Sequence, residues 1–405
     1  MSLNKKIKKC CKIADSETQY NQHCVHVHEK GDKHMDKRVN IGVAGLGFGK
    51  EFLAIYKEHE DVGKIAICTR NPVTLKTVGD EFDIPEEFRF TSYDEMVACN
   101  ELDAIHIVTP IAEHVPQTLK ALNAGKHVAC TVPMATSIDD LKAIIEAKEK
   151  SGKYYMQMET SLYTREFLAV KKMLDNGELG KIQYLKGDHM QNMSLDGWGD
   201  YWRGFPPFYY GTHVLSPILM LSGSKFKSVR CLGSGRVSEE KAEKYGCKFA
   251  VETATFRFED PELVAEAHRC LFETVRQVRE CFDVYGSKKS FEWEPTVDEG
   301  HTIFYGIDDY EKFTAPDTAE LLPNCIKKFT LRQNISDPSQ PSFRQGSGHG
   351  GSHPHLCHEF IRAIVEDREP AIDVYLSADI SAAGICAQLS AFNDGAEIEV
   401  PSFRK

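Results

Sequence analysis

Beyond residue 38 the chain alternates between short runs of aliphatic, β-branched residues and longer amphipathic stretches. VNIGVAGLG (39–47) is followed by GKEFLAIYKEHE (49–60), KIAICTR (64–70), an amphipathic stretch over 73–82, and DAIHIVTP (103–110). Brief apolar runs bounded by turn residues predict strands buried on both faces, and the period-3.6 stretches between them predict covering helices. The pattern continues through HVPQTLKALNAG (114–125), KHVACTVP (126–133), SIDDLKAIIEAKEKSG (137–152) and YYMQMET (154–160). Strand and helix in strict alternation predict an α/β fold with a doubly wound parallel sheet over 39–160.

After Thr160 the pattern changes. The helical segment REFLAVKKMLDNGELG (165–180) precedes strand-like runs at IQYLKGDHM (182–190), SVRCLGSGR (228–236), ATFRFED (254–260) and CFDVYGS (281–287). With no helix-length segment between most of them, these predict an α+β domain over 161–405 with an open, largely antiparallel sheet. HLCHEFIRAIVEDREP (355–370) and a second segment starting near Ala378 return to helical periodicity. Residues 1–38 are rich in lysine and histidine, lack periodicity, and predict a mobile extension. Cys24, His26 and His28 there fit no closed zinc spacing, so no metal is expected.

A length of 405 residues with 41% hydrophobic content supports two such domains. The net charge of −11 argues against a nucleic-acid partner, which leaves a basic footprint. Thirteen scattered cysteines, an odd number without a CxxC pair, suit a reducing compartment. There is no apolar run of the roughly 20 residues that would cross a bilayer and no apolar signal core. The expectation is a soluble cytoplasmic protein without membrane contact.

Gly45, Gly47 and Gly49 lie between the first strand and the first helix, where absent side chains let backbone approach a pyrophosphate at the helix N-terminus. They predict a Rossmann dinucleotide site, with Phe48 in the same turn, although the spacing is GxGxG with Lys50 at the last glycine position. The second strand ends in Thr69 and Arg70, where NAD enzymes place a carboxylate for the ribose. A hydroxyl and a guanidinium attract a 2′-phosphate, so NADP is favoured and NAD stays open.

In its ordered motifs the sequence resembles the Gfo/Idh/MocA family of nicotinamide-dependent sugar and polyol oxidoreductases, from residue 39 to 403. The motifs are GLGFG (45–49), VTPIAEH (108–114), AGKHVAC (124–130), HEFIRAIVEDREPAIDV (358–374) and VPSF (400–403). The resemblance implies that Thr109, Pro110 and His114 contact cofactor, and Thr131 and Pro133 with them. It also implies a sugar-like substrate and a homo-oligomer, dimer or tetramer, formed through the open sheet. The family's Glu-Lys-Pro stands here as Thr131-Val132-Pro133, without the lysine that positions the hydroxyl being oxidised, and its Asp-x-x-x-His pair as Tyr209 and His213. At these points, at ETSLYTREFL (159–168) and at 212–217, the sequence is similar to NAD-dependent redox glycosidases of the same superfamily. That similarity implies acid/base roles for a tyrosine and a histidine.

The candidate catalytic residues are therefore His213, Tyr163 and Tyr209. A buried, merely hydrogen-bonded His213 is the plain alternative. Glu159 and His353 are candidate substrate residues, with Trp198, Trp202 and Tyr210 from the aromatic segment 196–211. Aromatic faces suit the C–H faces of a sugar, and core packing or a subunit contact would account for them equally. The histidine-rich run 346–356, with His349, His353 and His355, is expected to line substrate or lead a helix rather than bind metal. Three functions follow: hydride transfer between a sugar or polyol carbon and nicotinamide, redox-neutral glycoside cleavage with the cofactor regenerated, and a non-catalytic dinucleotide sensor.

Overall fold

The computed structural model describes residues 38–196, 198–331 and 349–404. The expected extension, with Cys24, His26 and His28, lies outside the described residues except for Arg38. The first sheet uses β1 (Val39–Ala44), β2 (Val62–Cys68), β3 (Arg89–Phe90), β4 (Ala104–Ile107), β5 (His127–Cys130) and β6 (Tyr155–Gln157). Its order is β3-β2-β1-β4-β5-β6, every pair parallel. The aliphatic runs form these strands because both faces are covered: Ile41, Val43, Ile105 and Val128 are wholly buried.

Helices Leu46–Glu58, Pro72–Glu81, His114–Asn123 and Ile138–Ser151 join these strands. Local chemistry sets their ends. The Asn71 side chain accepts from the Val73 and Thr74 amides before Pro72 opens its helix, and Ser137 accepts from the Asp140 amide. Gly152, with φ 64°, closes the helix Ile138–Ser151. Strand order reverses between β1 and β4, and the loops beyond their carboxyl ends open a crevice there.

The second sheet contains β7 (Ile182–Met190), β8 (Phe226–Ser234), β9 (Val251–Phe258), β10 (Val264–Cys270), β11 (Val278–Gly286), β12 (Ser290–Glu292), β13 (His301–Phe304), β14 (Tyr310–Phe313) and β15 (Ile398–Glu399). Their order among the described residues is β14-β13-β12-β11-β7-β10-β9-β8-β15. Among the described residues of this sheet only β7 and β10 pair in parallel. β10 is missing from the sequence expectation because its buried face carries Ala265, Ala267 and Arg269 instead of large aliphatics. Small residues are required there: helix Thr212–Ser222 presses so closely that a Cβ on Gly187 of β7 would lie 2.5 Å from Val214 Cγ2.

Helix Ser352–Val365 packs against helix Leu46–Glu58, and the buried helix Val374–Phe392 packs against β8 and helix Ile138–Ser151. One hydrophobic core is continuous through both sheets. Among the described residues no helix is long and apolar enough to cross a membrane.

Candidate active site

A cleft of 1570 Å³ runs from the switch point of the first sheet to the face of the second. Its first half is mainly backbone. Gly45 has φ 92°, and a Cβ there would sit 2.4 Å from the Val108 carbonyl oxygen, so glycine is required by both conformation and space. A Cβ on Gly47 would meet nothing within 4 Å; it would project into open cleft. No side chain caps the helix starting at Leu46, leaving its first-turn amides for a ligand. This cradle fits a dinucleotide pyrophosphate.

Phe48, Thr69, Arg70, Thr109, Pro110, His114 and Thr131 line the same half. Gly49 does not; a Cβ there would lie 3.0 Å from Val43 Cγ1, so its absence lets the helix approach β1. Pro133 is also off the surface, but its carbonyl meets His114 Nδ1 at 2.8 Å while Nε2 meets the Thr109 carbonyl at 2.9 Å. His114 therefore braces the loops after β4 and β5, and burial lowers its pKa. Val132, where the resemblance leads one to look for lysine, presents an aliphatic side chain to the cleft.

The second half is made of side chains. His213, in the first turn of helix Thr212–Ser222, places Nδ1 2.6 Å from Glu159 Oε1 and Nε2 3.2 Å from the Tyr210 hydroxyl. Glu280 Oε1 lies 3.4 Å from the same Nδ1, accepts from the Thr160 hydroxyl, and meets His349 Nδ1 at 2.8 Å. Glu159, Thr160, His213 and Glu280 are almost fully buried, while Tyr210 and His349 are partly exposed to the cleft. Burial disfavours the imidazolium, but the Glu159 and Glu280 carboxylates outweigh it and hold His213 above its ordinary pKa. Burial likewise disfavours the Glu280 carboxylate, yet His349, His213 and Thr160 bring it down to about 2. Burial pushes Tyr210 far up and keeps it a proton donor, partly opposed by Arg269. Ligand atoms of Glu159, His213 and Glu280 lie within 4.8 Å of one another, near enough for one ion, though hydrogen bonds already engage them.

The structure brings Glu159, His213, Trp198, Trp202 and Tyr210 together and leaves Tyr163, Tyr209 and His353 elsewhere. Successive residues of the 3-10 turn Pro207–Tyr210 face different ways, so Tyr210 reaches His213 while Tyr209 packs 6.3 Å from Phe205. Tyr163 stacks on His355, with ring centroids 6.0 Å apart. His353 is buried against Phe52 at 4.6 Å, because its helix lies on the helix that carries the glycine turn. Trp202 is buried on Tyr210 and Phe205, whereas Trp198 is 39% exposed at the mouth.

Sequence reasoning missed Thr160, His189, Arg269, Arg279 and Glu280, and did not pair His349 with a carboxylate. His189 had a readable signal: it falls on the buried face of β7 with Leu185 and Gly187, where a polar residue needs a reason. Arg279 and Glu280 had little, because both reach the site through an irregularity. Val278 pairs with Met190 and Cys281 with Asp188, so two residues of β11 oppose His189 alone, and Glu280 takes φ 56°.

Residues 39–159 match the model of an oxidoreductase family with an NAD-binding Rossmann fold, GFO_IDH_MocA, and residues 167–292 match a GFO/IDH/MocA C-terminal domain. A curated relative, glycosyl hydrolase family 109 protein 1 of Phocaeicola vulgatus, is 24% identical over 345 residues, covering 78% of this chain and 71% of that protein. Two solved structures share the fold. An aldose-aldose oxidoreductase from Caulobacter crescentus complexed with glycerol has a TM-score of 0.67 at 21% identity, covering 89% of this chain and 99% of that one. A levoglucosan dehydrogenase in complex with NADH and levoglucosan has a TM-score of 0.71 at 18% identity, covering 90% and 100%.

Proposed function

The chain belongs to the Gfo/Idh/MocA family of NAD-binding oxidoreductases, and from that premise we propose hydride transfer at the carbinol carbon of a sugar or polyol, with Tyr210, His213 and Glu159 as the proton relay. The observation that carries this reading is the line of contacts Glu159 Oε1 to His213 Nδ1, 2.6 Å, and His213 Nε2 to the Tyr210 hydroxyl, 3.2 Å, in a cleft that also contains the glycine turn. Gly45, Gly47 and the first-turn amides would hold the pyrophosphate, and Thr109, Thr131 and the His114-braced loops would hold the nicotinamide end. Thr69 and Arg70 line the cleft where the adenosine ribose would lie and offer no carboxylate, which would admit NADP beside NAD. When bound, the nicotinamide supplies the two-electron acceptor for the hydride.

Glu159 holds a proton on Nδ1, leaving Nε2 of the neutral ring to accept from Tyr210. As the substrate hydroxyl loses its proton to the phenol oxygen, the phenol proton passes to Nε2, and Glu159 stabilises the imidazolium that results. Val132 carries no proton, so this relay stands in for the lysine. Trp198 and Trp202 border the substrate end and offer aromatic faces to a sugar ring.

A second reading, redox-neutral glycoside cleavage, is favoured by the His349–Glu280 pair. Its imidazole lies 5.8 Å from that of His213. Elimination beside a transient ketone needs a base for the C–H and an acid for the leaving oxygen, beyond the base that serves the hydroxyl. We place the enzyme in the cytoplasm, in keeping with the free thiols of its described cysteines. We also infer a dimer or tetramer through the open second sheet; a monomeric mass by light scattering overturns that.

The test incubates the protein with NAD⁺ or NADP⁺ and panels of free sugars and nitrophenyl glycosides, following reduced cofactor and nitrophenol together. Stoichiometric reduced cofactor without cleavage supports the first reading. Nitrophenol release without net reduction supports the second. Either signal falls about 10²–10⁴-fold in His213→Ala, and silence in both channels leaves the sensor.

A further inference from the structure

Three neighbouring strands of the second sheet bring cationic and unpartnered groups to one level. Arg269 of β10 pairs in register with His189 of β7, and the irregularity at Arg279–Glu280 of β11 stands opposite the same His189. Among the described residues neither ring nitrogen of His189 has a hydrogen-bond partner, although the residue is 2% exposed and lines the cleft. Arg279 also lines the cleft, and among the described residues its guanidinium makes no hydrogen bond or ion pair. Arg269 lies just behind, wholly buried, its Cζ 5.1 Å from the centre of the Tyr210 ring. It donates to the carbonyls of Tyr210, His189 and Cys270 and to no carboxylate, and its Nη2 has no partner.

The two carboxylates nearby are already engaged, Glu159 by His213 and Glu280 by His349 and Thr160. Among the described residues, two guanidiniums therefore sit in the substrate half without a direct carboxylate contact, Arg279 feeling Glu280 only through its field. Withholding a guanidinium from water without a directly bonded anion is costly, and one that lines a cleft and makes no hydrogen bond among the described residues is set to receive it from a ligand. The cofactor's phosphates do not fill this role, because their cradle is the glycine turn of the first sheet. Burial lowers the pKa of His189 well below its usual value and Arg269 adds to this, so the ring is neutral and offers one N–H rather than a second charge.

We propose that the substrate is an acidic sugar, whose carboxylate or sulfate group is bound by Arg279 and His189 in the field of Arg269. This rests on the sugar-oxidoreductase reading and specifies its substrate class. A planar carboxylate such as that of a uronic acid takes a guanidinium in two parallel hydrogen bonds, and a sulfate ester takes the same fork. Anion on Arg279 and ring hydroxyl toward Tyr210 orient the ring between two fixed points. Specificity then comes from the rejection of neutral analogues, which leave the guanidinium unpaired.

The experiment is calorimetric titration of the full chain, with and without NAD⁺, using methyl glucuronide and methyl galacturonide, their methyl esters, glucose 6-sulfate and methyl glucoside. An anionic ligand is expected to bind on the order of tenfold or more tighter than its neutral counterpart. Arg279→Gln should erase that preference while leaving NAD⁺ affinity and melting temperature unchanged, and Arg279→Lys should retain part of it. A uronide preference assigns a carboxylate, and a glucose 6-sulfate preference assigns a sulfate. Equal binding of charged and neutral members, no binding of any anionic member, or a preference that survives Arg279→Gln overturns the proposal. Anion-selective binding without cofactor reduction would sink the redox reading and leave the anion site standing.

Discussion

The two halves of the cleft are built by opposite means. The cofactor half comes from turns between adjacent elements of one parallel sheet and acts mainly through backbone, with glycine required where Val108 crowds Gly45. The chemical half gathers side chains from six separated places: Glu159 and Thr160, His189, Tyr210 and His213, Arg269, Arg279 and Glu280, and His349. A dinucleotide presents the same phosphates to every enzyme of this kind, so a local backbone cradle suffices. A proton relay needs titratable groups at fixed distances in a dry setting, and burial drawn from distant segments supplies that.

The comparison breaks most sharply at the tyrosines. Tyr210→Phe should lower turnover about 10²-fold or more, whereas Tyr209→Phe and Tyr163→Phe should change it by no more than about threefold because neither reaches the cleft; steady-state rates on one substrate decide it, and equal losses at all three would unseat the relay. A smaller effect separates two glycines of one turn. Gly47→Ala should weaken NAD⁺ binding about tenfold at an unchanged melting temperature, since its Cβ meets only open cleft, whereas Gly45→Ala should also lower the melting temperature through its φ of 92° and the Val108 carbonyl. Dye-monitored melting beside fluorescence titration reads both.

The smallest change in rate, and the most diagnostic, is a displaced pH profile. Oxidation needs neutral His213, so kcat/KM should rise with pH through a value above the ordinary 6.5, where the carboxylates hold the ring against its burial. Glu159→Gln removes the nearer carboxylate and should move that acid limb to lower pH. Because the folded value is raised, the pair stabilises the fold fully below the unfolded value and loses this as pH rises through the folded one. An acid limb that stays in place in Glu159→Gln would assign the titration to another group.

Wherever apolar period and turn chemistry agree, the elements are legible in the chain. β1 and β7, whose span 182–190 is also the observed one, are examples. The glycine turn is legible for the same reason, since strand, turn and helix follow one another within about twenty residues. β10 is hidden because close helix packing replaces its large residues with alanine, and Tyr209, named because it stands at the family's Asp-x-x-x-His position, yields to Tyr210 because orientation in a 3-10 turn depends on what surrounds it.

By itself the sequence determined the parallel sheet and the dinucleotide turn, because these depend on neighbours along the chain, while the absent lysine and the attention to His213 came from the family resemblance. Only the tertiary structure decided that Glu159, Tyr210, Glu280 and His349 surround that histidine and that Arg279 faces the cleft with no hydrogen bond from its guanidinium among the described residues. Charges separated by tens to hundreds of residues interact through distance and burial alone, and folding sets both.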